Sequence, residues 1–467
     1  MKNHSFFRSG SYSLIANGAQ QVFALLQFML VARLLTPSLL GEWAMFLTLV
    51  SLVEMARLGL VQNALVHFLN HQPEQKEQWA TNTLLLNIGV LVLGTLLLTL
   101  LSPFLSQLWH MTHLFNLFLI YLCLAPILGF LRTLEGLGMA NSDFRPMLIS
   151  SIVFGLFYWI LLKFAPIIIK LFNFEPFIHS TFGFDPNGIL HPPILVFLQF
   201  IPTISAIICV CFMTNNRLKL GKIDFFLLKK MFNFGRYGMA TNLCSILFQR
   251  ADLFILGAFA TPSSIASYNI ATRLISYIDF PLNALGLAIM PKLAQIHQNS
   301  NTASVARFYE KSVGFLLALI LPIVIMSFLG ASYIINLFAG ASFVGATPLF
   351  QILLLATIVK PFGRIFGVTL DAIGKPIWNF RMLLMSMFIT LVINFVFINI
   401  WGTVGAAIAS TLSIVITISI GQLLLIQWLP VRFIFICKSI PENYLLSFKL
   451  LKNFNVNFLM KQNFKNI

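Results

Sequence analysis

Few charged side chains interrupt the apolar runs of this chain, and those few are the groups able to do chemistry. Arg250 and Asp252 break one run, and Arg273 and Asp279 break the next. Glu54 and Arg57 lie in an earlier run, and Lys360 and Arg364 in a later one. An ionisable group at a bilayer centre costs about 2.5–3.5 kcal/mol on insertion scales, so such groups usually face a bundle interior or a wet cavity. Lys360 and Arg364 are four residues apart and share a helical face, where two cations repel and invite an anion. Arginine suits phosphate because its donors form a planar fork. The chemistry on offer is the holding of an anion inside a membrane. Candidate substrate contacts are Arg57, Arg250, Asp252, Arg273, Lys360 and Arg364. Structural roles compete with that reading. Glu54 and Arg57, three apart, can neutralise each other, and so can Arg132 and Glu135. Asp252 cannot pair along one face with Arg250, because residues two apart do not face each other. It reads instead as orienting or balancing Arg250 or a neighbouring helix. Arg33 lies near a helix end and reads as a snorkelling side chain.

Catalytic and metal chemistry find no support in the sequence. His67 and His71 are at i, i+4 but at a helix end without a third ligand, and with His110 and His113 they read as solvated. Cys209-x-Cys211 has no partner at zinc spacing, so the five cysteines read as free thiols. No Walker sequence occurs, so direct ATP use is not expected. No cofactor is expected. Coupling to a proton or sodium gradient, or to the membrane potential, stays open.

The elements that must position these charges are transmembrane helices. The chain has 467 residues, 58% hydrophobic and 9% charged, with a mean hydropathy of +0.88. Soluble domains carry about 25% charged residues. A polytopic membrane protein follows, without room for a large soluble domain. The net charge of +16 reads as the positive-inside signal rather than as a nucleic-acid surface. No cleavable signal peptide is expected, because the first apolar run, 14–35, is too long for one and should stay as the first helix. A span needs about 20 apolar residues. That length gives about twelve helices: 12–34, 41–68, 81–108, 114–137, 147–171 and 192–213, then 238–260, 263–290, 312–338, 347–371, 380–400 and 403–429. Lys and Arg crowd alternate links, most densely Arg217, Lys219, Lys222, Lys229, Lys230 and Arg236 between the sixth and seventh helices. The other links are nearly free of them. This places both termini in the cytoplasm.

The chain writes two elements twice. Thr36-Pro37-Ser38-Leu39-Leu40-Gly41-Glu42-Trp43 matches Thr261-Pro262-Ser263-Ser264-Ile265-Ala266-Ser267-Tyr268. Leu134-Glu135-Gly136-Leu137-Gly138, followed by Phe144-Arg145, matches Leu370-Asp371-Ala372-Ile373-Gly374, followed by Phe380-Arg381. The expected architecture is an all-α bundle of two pseudo-symmetric six-helix lobes around a central cavity, related by an axis along the membrane normal. The lobes are 1–213 and 238–429, with a basic cytoplasmic linker at 214–237 and a basic cytoplasmic tail at 430–467. Glu135 with Arg145 and Asp371 with Arg381 are candidates for a cytoplasmic gate, as matching latches across the two halves. The longest outward loop, 173–193, holds Glu175 and Asp185 and reads as a lid or as an insertion without function. The segment 444–452 reads as an amphipathic helix on the inner leaflet or as a frayed tail.

These residues resemble a known family. The run RLLTPSLLGEWAMFLTLV at 33–50 with Arg57-Leu58-Gly59-Leu60 is similar to the amino-terminal signature of Wzx-type polysaccharide-lipid flippases. Arg250-x-Asp252, Leu256-Gly257, Tyr268 to Leu274 and Pro291-Lys292 resemble their second-half signature. The group belongs to the multidrug/oligosaccharidyl-lipid/polysaccharide exporter (MOP) superfamily. The resemblance implies transport, not catalysis. An undecaprenyl-diphosphate-linked oligosaccharide, the repeat unit of an O-antigen, capsule or exopolysaccharide, would move from the cytoplasmic to the periplasmic leaflet of the bacterial inner membrane by alternating access. It implies a polysaccharide polymerase and chain-length machinery as partners. Arg250, Arg273 and Lys360 would then meet the diphosphate. Gln20, Gln21, Gln27, Asn63, Asn242, Gln249 and Asn269 could meet the glycan, with helix-to-helix hydrogen bonds as the plainer role for each. Two alternatives remain. One is another exporter of the superfamily, carrying drugs or a peptidoglycan precursor. The other is a membrane glycan polymerase or ligase, for which the outward loops look too short.

Overall fold

In the computed structural model, residues 2–71, 73–171, 191–214, 221–299 and 302–452 are described. Among them the chain is helical, with α1 Lys2–Leu34, α2 Pro37–Arg57, α3 Asn63–His71, α4 Lys76–Trp109, α5 Leu114–Ala140, α6 Arg145–Leu171, α7 Pro192–Phe197 and α8 Phe200–Thr214. There follow α9 Phe225–Gln249, α10 Ala251–Phe259, α11 Pro262–Asn299, α12 Thr302–Leu329, α13 Ala331–Ala339, α14 Thr347–Ala372, α15 Pro376–Ile426 and α16 Phe433–Lys452. Nine described stretches are long and apolar enough to span a membrane, and a tenth arises if the bent pair α9–α10 is one span. The sequence reading of twelve differs at two places. At 51 residues, α15 would be about 75 Å long, more than twice the ~30 Å hydrocarbon core. Its backbone breaks at Gly402, φ 56° and ψ −128°, a conformation that glycine reaches without steric cost. The two arms then fold so tightly that a Cβ on Gly405 would lie 1.9 Å from the Phe397 carbonyl oxygen. The second place is α11, which has 38 residues but carries Arg273, Asp279 and Lys292 and is not among the nine.

Helix starts also differ from the apolar runs. The seventh predicted helix begins at Phe225, thirteen residues before the expected 238, inside the stretch read as a linker. Lysine and arginine are good helix formers, so Lys229, Lys230 and Arg236 end an apolar window without ending a helix. Asp224 sets the start by accepting from the Phe226 and Leu227 amides at 2.8 and 3.4 Å, an N-cap that satisfies orphan donors. The outward loop 173–190, with Glu175 and Asp185, and the tail beyond Lys452 lie outside the described residues.

The chain divides into two compact units, residues 1–269 with 336–343, and residues 270–335 with 344–467. In the first unit α2 runs antiparallel to α9–α10 along its whole length. At one end the two T-P-S elements meet, for a Cβ on Gly41 would lie 1.8 Å from the Pro262 carbonyl oxygen. At the other, Cβ atoms on Gly59 and Gly235 would lie 2.3 Å from the Gly238 oxygen and 1.9 Å from the Leu60 oxygen. Gly41 and Gly59 are about 27 Å apart along the helix. Lipid offers no hydrophobic drive between helices, so close backbone approach at small residues supplies the packing. The helix at this second crossing widens into a π turn, Leu58–Gln62. Around it Leu60, Leu65, Trp79, Leu227 and Met231 form a core, with Phe68 stacked on Trp79 at 4.8 Å. In the second unit, α14 packs on α15, and α12 packs on both α14 and α16.

These crossings predict which glycines tolerate a methyl group. Gly235→Ala should lower the thermal midpoint of purified protein, with about 1–3 kcal/mol of overpacking. Gly89→Ala should be neutral or stabilising by up to ~1 kcal/mol through helix propensity, because nothing lies within 4 Å of its Cβ position. Intrinsic fluorescence melting in detergent checks both; equal midpoints would mean the α2–α9 contact is looser than described.

Candidate functional site

A network of paired charges lies inside the first unit. Arg57 Nε donates to Glu54 at 2.8 Å, and Arg57 Nη1 donates to Asn87 Oδ1 at 3.2 Å. Asn87 in turn donates to Thr133 Oγ1 at 2.9 Å. Arg132 pairs with Glu135 at 2.9 Å and reaches Glu54 at 3.8 Å. The Ser150 hydroxyl donates to Glu135. Two carboxylates and two guanidiniums thus neutralise one another, and both expected pairs form. Arg57, read as a substrate contact, is only 4% exposed and is committed to Glu54 and Asn87. Beside the network, Gln20, Gln27, Arg132, Glu135 and Ser150 line a cavity of about 180 Å³.

Arg250 stands where α9 breaks into α10. Its backbone, φ −119° and ψ 8°, leaves the helical region, and the two segments bend by 53°. Its side chain is half-buried. Asp252, in the first turn of α10, accepts from its neighbour's Leu253 amide and from the Tyr268 hydroxyl. Tyr268 is the aromatic residue of the second T-P-S element and is fully buried. Asp252 therefore ties to the next helix, one of the two roles read from sequence.

In the second unit Arg273 is half-buried on α11. Farther along that helix Asp279 holds Lys360 of α14 in an ion pair. One turn on, Arg364 Nη2 donates to the Asn283 carbonyl at 3.3 Å, while its buried Nε makes no hydrogen bond among the described residues. Lys360 and Arg364 share a face, as their spacing requires, and Asp279 is the anion that this face holds.

Each of the four gate candidates contacts residues of its own half. Arg145 grips Asp143 through two bonds of 2.9 Å, and Glu135 belongs to the Arg132 network. Asp371 accepts from Asn379 at 3.1 Å, and Arg381 lies 4.9 Å from the Trp378 ring centre. The side-chain hydrogen bond from Arg145 holds the Asp143 carboxyl below its usual range. That contribution to stability is present above the unfolded carboxylate pKa, about 3.9, and is lost as pH falls through the lower folded value.

Several polar roles follow the plainer reading. Gln27 donates to the Gly155 carbonyl at 3.2 Å, and Asn242 donates to the Met55 carbonyl at 3.2 Å. Two histidine expectations are corrected. His67 is stacked on Phe234 at 4.6 Å, and His113 lies 3.2 Å from His191; both meet partners distant in sequence. Glu42 is absent from the sequence candidates yet is 3% exposed. It accepts from the Thr112 and His113 amides at 3.1 and 3.0 Å, closing the α4–α5 turn. A carboxylate inside an apolar run is the signal that could have found it.

The fold and its buried charges define an all-α, multi-pass membrane protein with the architecture of MOP-superfamily transporters. Solved structures of that architecture include the lipid II flippase MurJ in an inward closed conformation, with a TM-score of 0.68, 14% identity, and 95% of this chain and 93% of that one covered. A multidrug resistance MATE family transporter in an inward-facing conformation gives 0.67 and 15%, covering 91% and 95%. At these identities the likeness establishes the fold alone. In sequence, residues 194–348 match the family described as "Polysaccharide biosynthesis protein". A relative from Haloferax volcanii, named "Probable low-salt glycan biosynthesis flippase Agl15", is 23% identical over 44% of this chain and 43% of its own length. The chain thus spans less than half the length of that relative. These matches support the resemblance to Wzx-type flippases.

Breaking the first-unit network should be costly. Glu54→Gln leaves Arg57 buried without its anion, a loss of about 3–5 kcal/mol, whereas replacing both partners by apolar residues of similar volume is often near neutral. Thermal melting of Glu54→Gln and of a Glu54→Leu/Arg57→Met double variant checks this. Equal stability of the single and double variants would mean that the pair is not closed.

Proposed function

We propose that this protein is a flippase that moves an undecaprenyl-diphosphate-linked oligosaccharide from the cytoplasmic to the periplasmic leaflet of the inner membrane by alternating access. The observation that carries the proposal is the Lys360–Asp279 pair with Arg364 one turn away. It supports an anion-holding face inside the apolar spans, with an acid standing where a phosphate would bind. In this reading the diphosphate displaces Asp279 from Lys360 and gathers Arg364, while Arg250 and Arg273 meet it at other stages of transit. Arg57 keeps the Glu54 network neutral, and Asp252 fixes the helix after the Arg250 bend. Transport rather than catalysis is supported by the names of the relatives and by the MOP fold. The buried cations lower the desolvation barrier for the headgroup. A negative-inside potential favours its outward movement by about 2.3 kcal/mol per charge per 100 mV if the charge crosses the whole field. The gate roles of Glu135, Arg145, Asp371 and Arg381 would require their present partners to exchange during the cycle.

Complementation of a strain lacking its own flippase tests the proposal, with membrane levels measured for each variant. Arg250→Ala, Arg273→Ala and Lys360→Ala should each insert and each cut export by about tenfold or more, the effect of ~1.4 kcal/mol on a rate-limiting step. Arg250→Lys should keep more activity than Arg250→Ala, because the point charge survives while the fork is lost. Wild-type export by the inserted triple variant would sink the proposal.

Topology gives a second test. Reporter fusions after Gln298 and Asn455 should read cytoplasmic, and fusions near Asn187 and Ser342 periplasmic. A periplasmic reading at Asn455 would remove the orientation.

A further inference from the structure

A second charged cavity lies in the second unit, apart from the Lys360 face. It has a volume of about 640 Å³ and is framed by Arg307 and Lys311 of α12 and by Arg432 and Lys438 at and beyond the start of α16. Two carboxylates also line it, Glu310 and Glu442. Glu310 is 4% exposed and is occupied, since its Oε1 accepts from the Arg432 amide at 2.6 Å. That bond turns the chain after α15 back against α12. The α16 helix then seats on α12 so closely that a Cβ on Gly314 would lie 1.7 Å from Ser439 Oγ. The four cations are therefore set around one concavity by a buried carboxylate and a tight crossing. All four are exposed.

Their level along the spans is also defined. Arg307 and Lys311 occupy the first turns of α12, immediately before the apolar run 313–329. Arg432 follows the end of α15 at Ile426. The concavity thus lies where the spans leave hydrocarbon. Next to it α16 exposes Phe433, Ile434 and Phe435, with Ile434 70% exposed. Cations at the interface beside bare apolar side chains match a molecule with an anionic head and acyl chains.

We propose that this cavity binds the phosphate headgroup of an anionic membrane phospholipid, with its acyl chains against Phe433 and Ile434. Phosphate is the shared chemistry of a lipid head and of the free ion; the apolar rim favours the lipid. By the Lys/Arg distribution this is the cytoplasmic end, where a surface rich in anionic lipid attracts basic juxtamembrane segments. The bound lipid would fasten α16, and through it the connection from α15, to the membrane surface.

The test is native mass spectrometry of the purified full-length protein, titrated with phosphatidylglycerol or phosphatidylcholine, with and without millimolar inorganic phosphate. One phosphatidylglycerol should bind in preference to phosphatidylcholine and should resist the phosphate. Each cation removed should weaken that binding about fivefold, the effect of ~1 kcal/mol per basic residue at a membrane surface. The variant Arg307→Gln/Lys311→Gln/Arg432→Gln/Lys438→Gln should lose the preference. Lys229→Gln/Lys230→Gln/Arg236→Gln, altering a basic cluster elsewhere, should keep it, and so should Arg307→Lys/Arg432→Lys. Should the fourfold variant fail to fold, Arg307→Gln/Lys438→Gln supplies the same reading at about 25-fold. Unchanged lipid preference in the folded variants overturns the proposal, and so does full displacement by inorganic phosphate, which would make this a site for the free ion. Neither result bears on export by the Arg250, Arg273 and Lys360 variants.

Discussion

A charge placed in hydrocarbon needs a partner, and that need arranges the interior of this protein. Every buried or half-buried carboxylate described within the spans is held. Glu54 and Glu135 lie in a four-charge network with Arg57 and Arg132. Asp252 is held by Tyr268, and Asp279 by Lys360. Most of these contacts cross from one helix to another, so satisfying each charge also fixes how helices pack. In lipid this matters more than in water, because apolar burial does not distinguish one helix neighbour from another.

The same need is met differently in the two units. In the first unit the network is neutral, and removing one member strands another. Among the described residues of the second unit, Lys360 has one carboxylate partner and Arg364 donates to a backbone carbonyl. This face carries more cation than anion. Arg250 stands at a different kind of position, the bend between α9 and α10, where the backbone itself departs from the helix.

Backbone contact does the rest of the positioning. Gly41, Gly59, Gly235 and Gly238 let α2 meet α9–α10 at both ends, with the bend at Arg250 between those crossings. The T-P-S element is written twice, and its two copies touch at Gly41 and Pro262. A repeated sequence thus becomes a physical junction: the small residue of one copy accepts the carbonyl of the other. In the second unit, Glu310 and Gly314 perform a similar task for α16 and so assemble a basic concavity from residues more than a hundred positions apart.

Residue composition and periodicity by themselves determined that the chain is an all-α membrane protein and where most of its spans fall. These follow from local rules, for an apolar run of sufficient length must cross a bilayer and a charge inside it must be sheltered. Spacing alone also indicated the Glu54–Arg57 and Arg132–Glu135 pairs, because residues three apart on a helix are neighbours whatever surrounds them. Tertiary structure decided the partners that lie far apart in sequence. Asp279 meets Lys360, Asp252 meets Tyr268, and Glu42 meets the turn before α5. It also gave Arg145 its contact with Asp143 and Asp371 its contact with Asn379, and it carried α9 through a basic stretch that hydropathy alone reads as a linker. The physical reason is common to all of these. Local sequence fixes the free energy of a residue in water, in lipid or in a helix, but which donor reaches which acceptor depends on helix crossings set by atoms tens or hundreds of residues away.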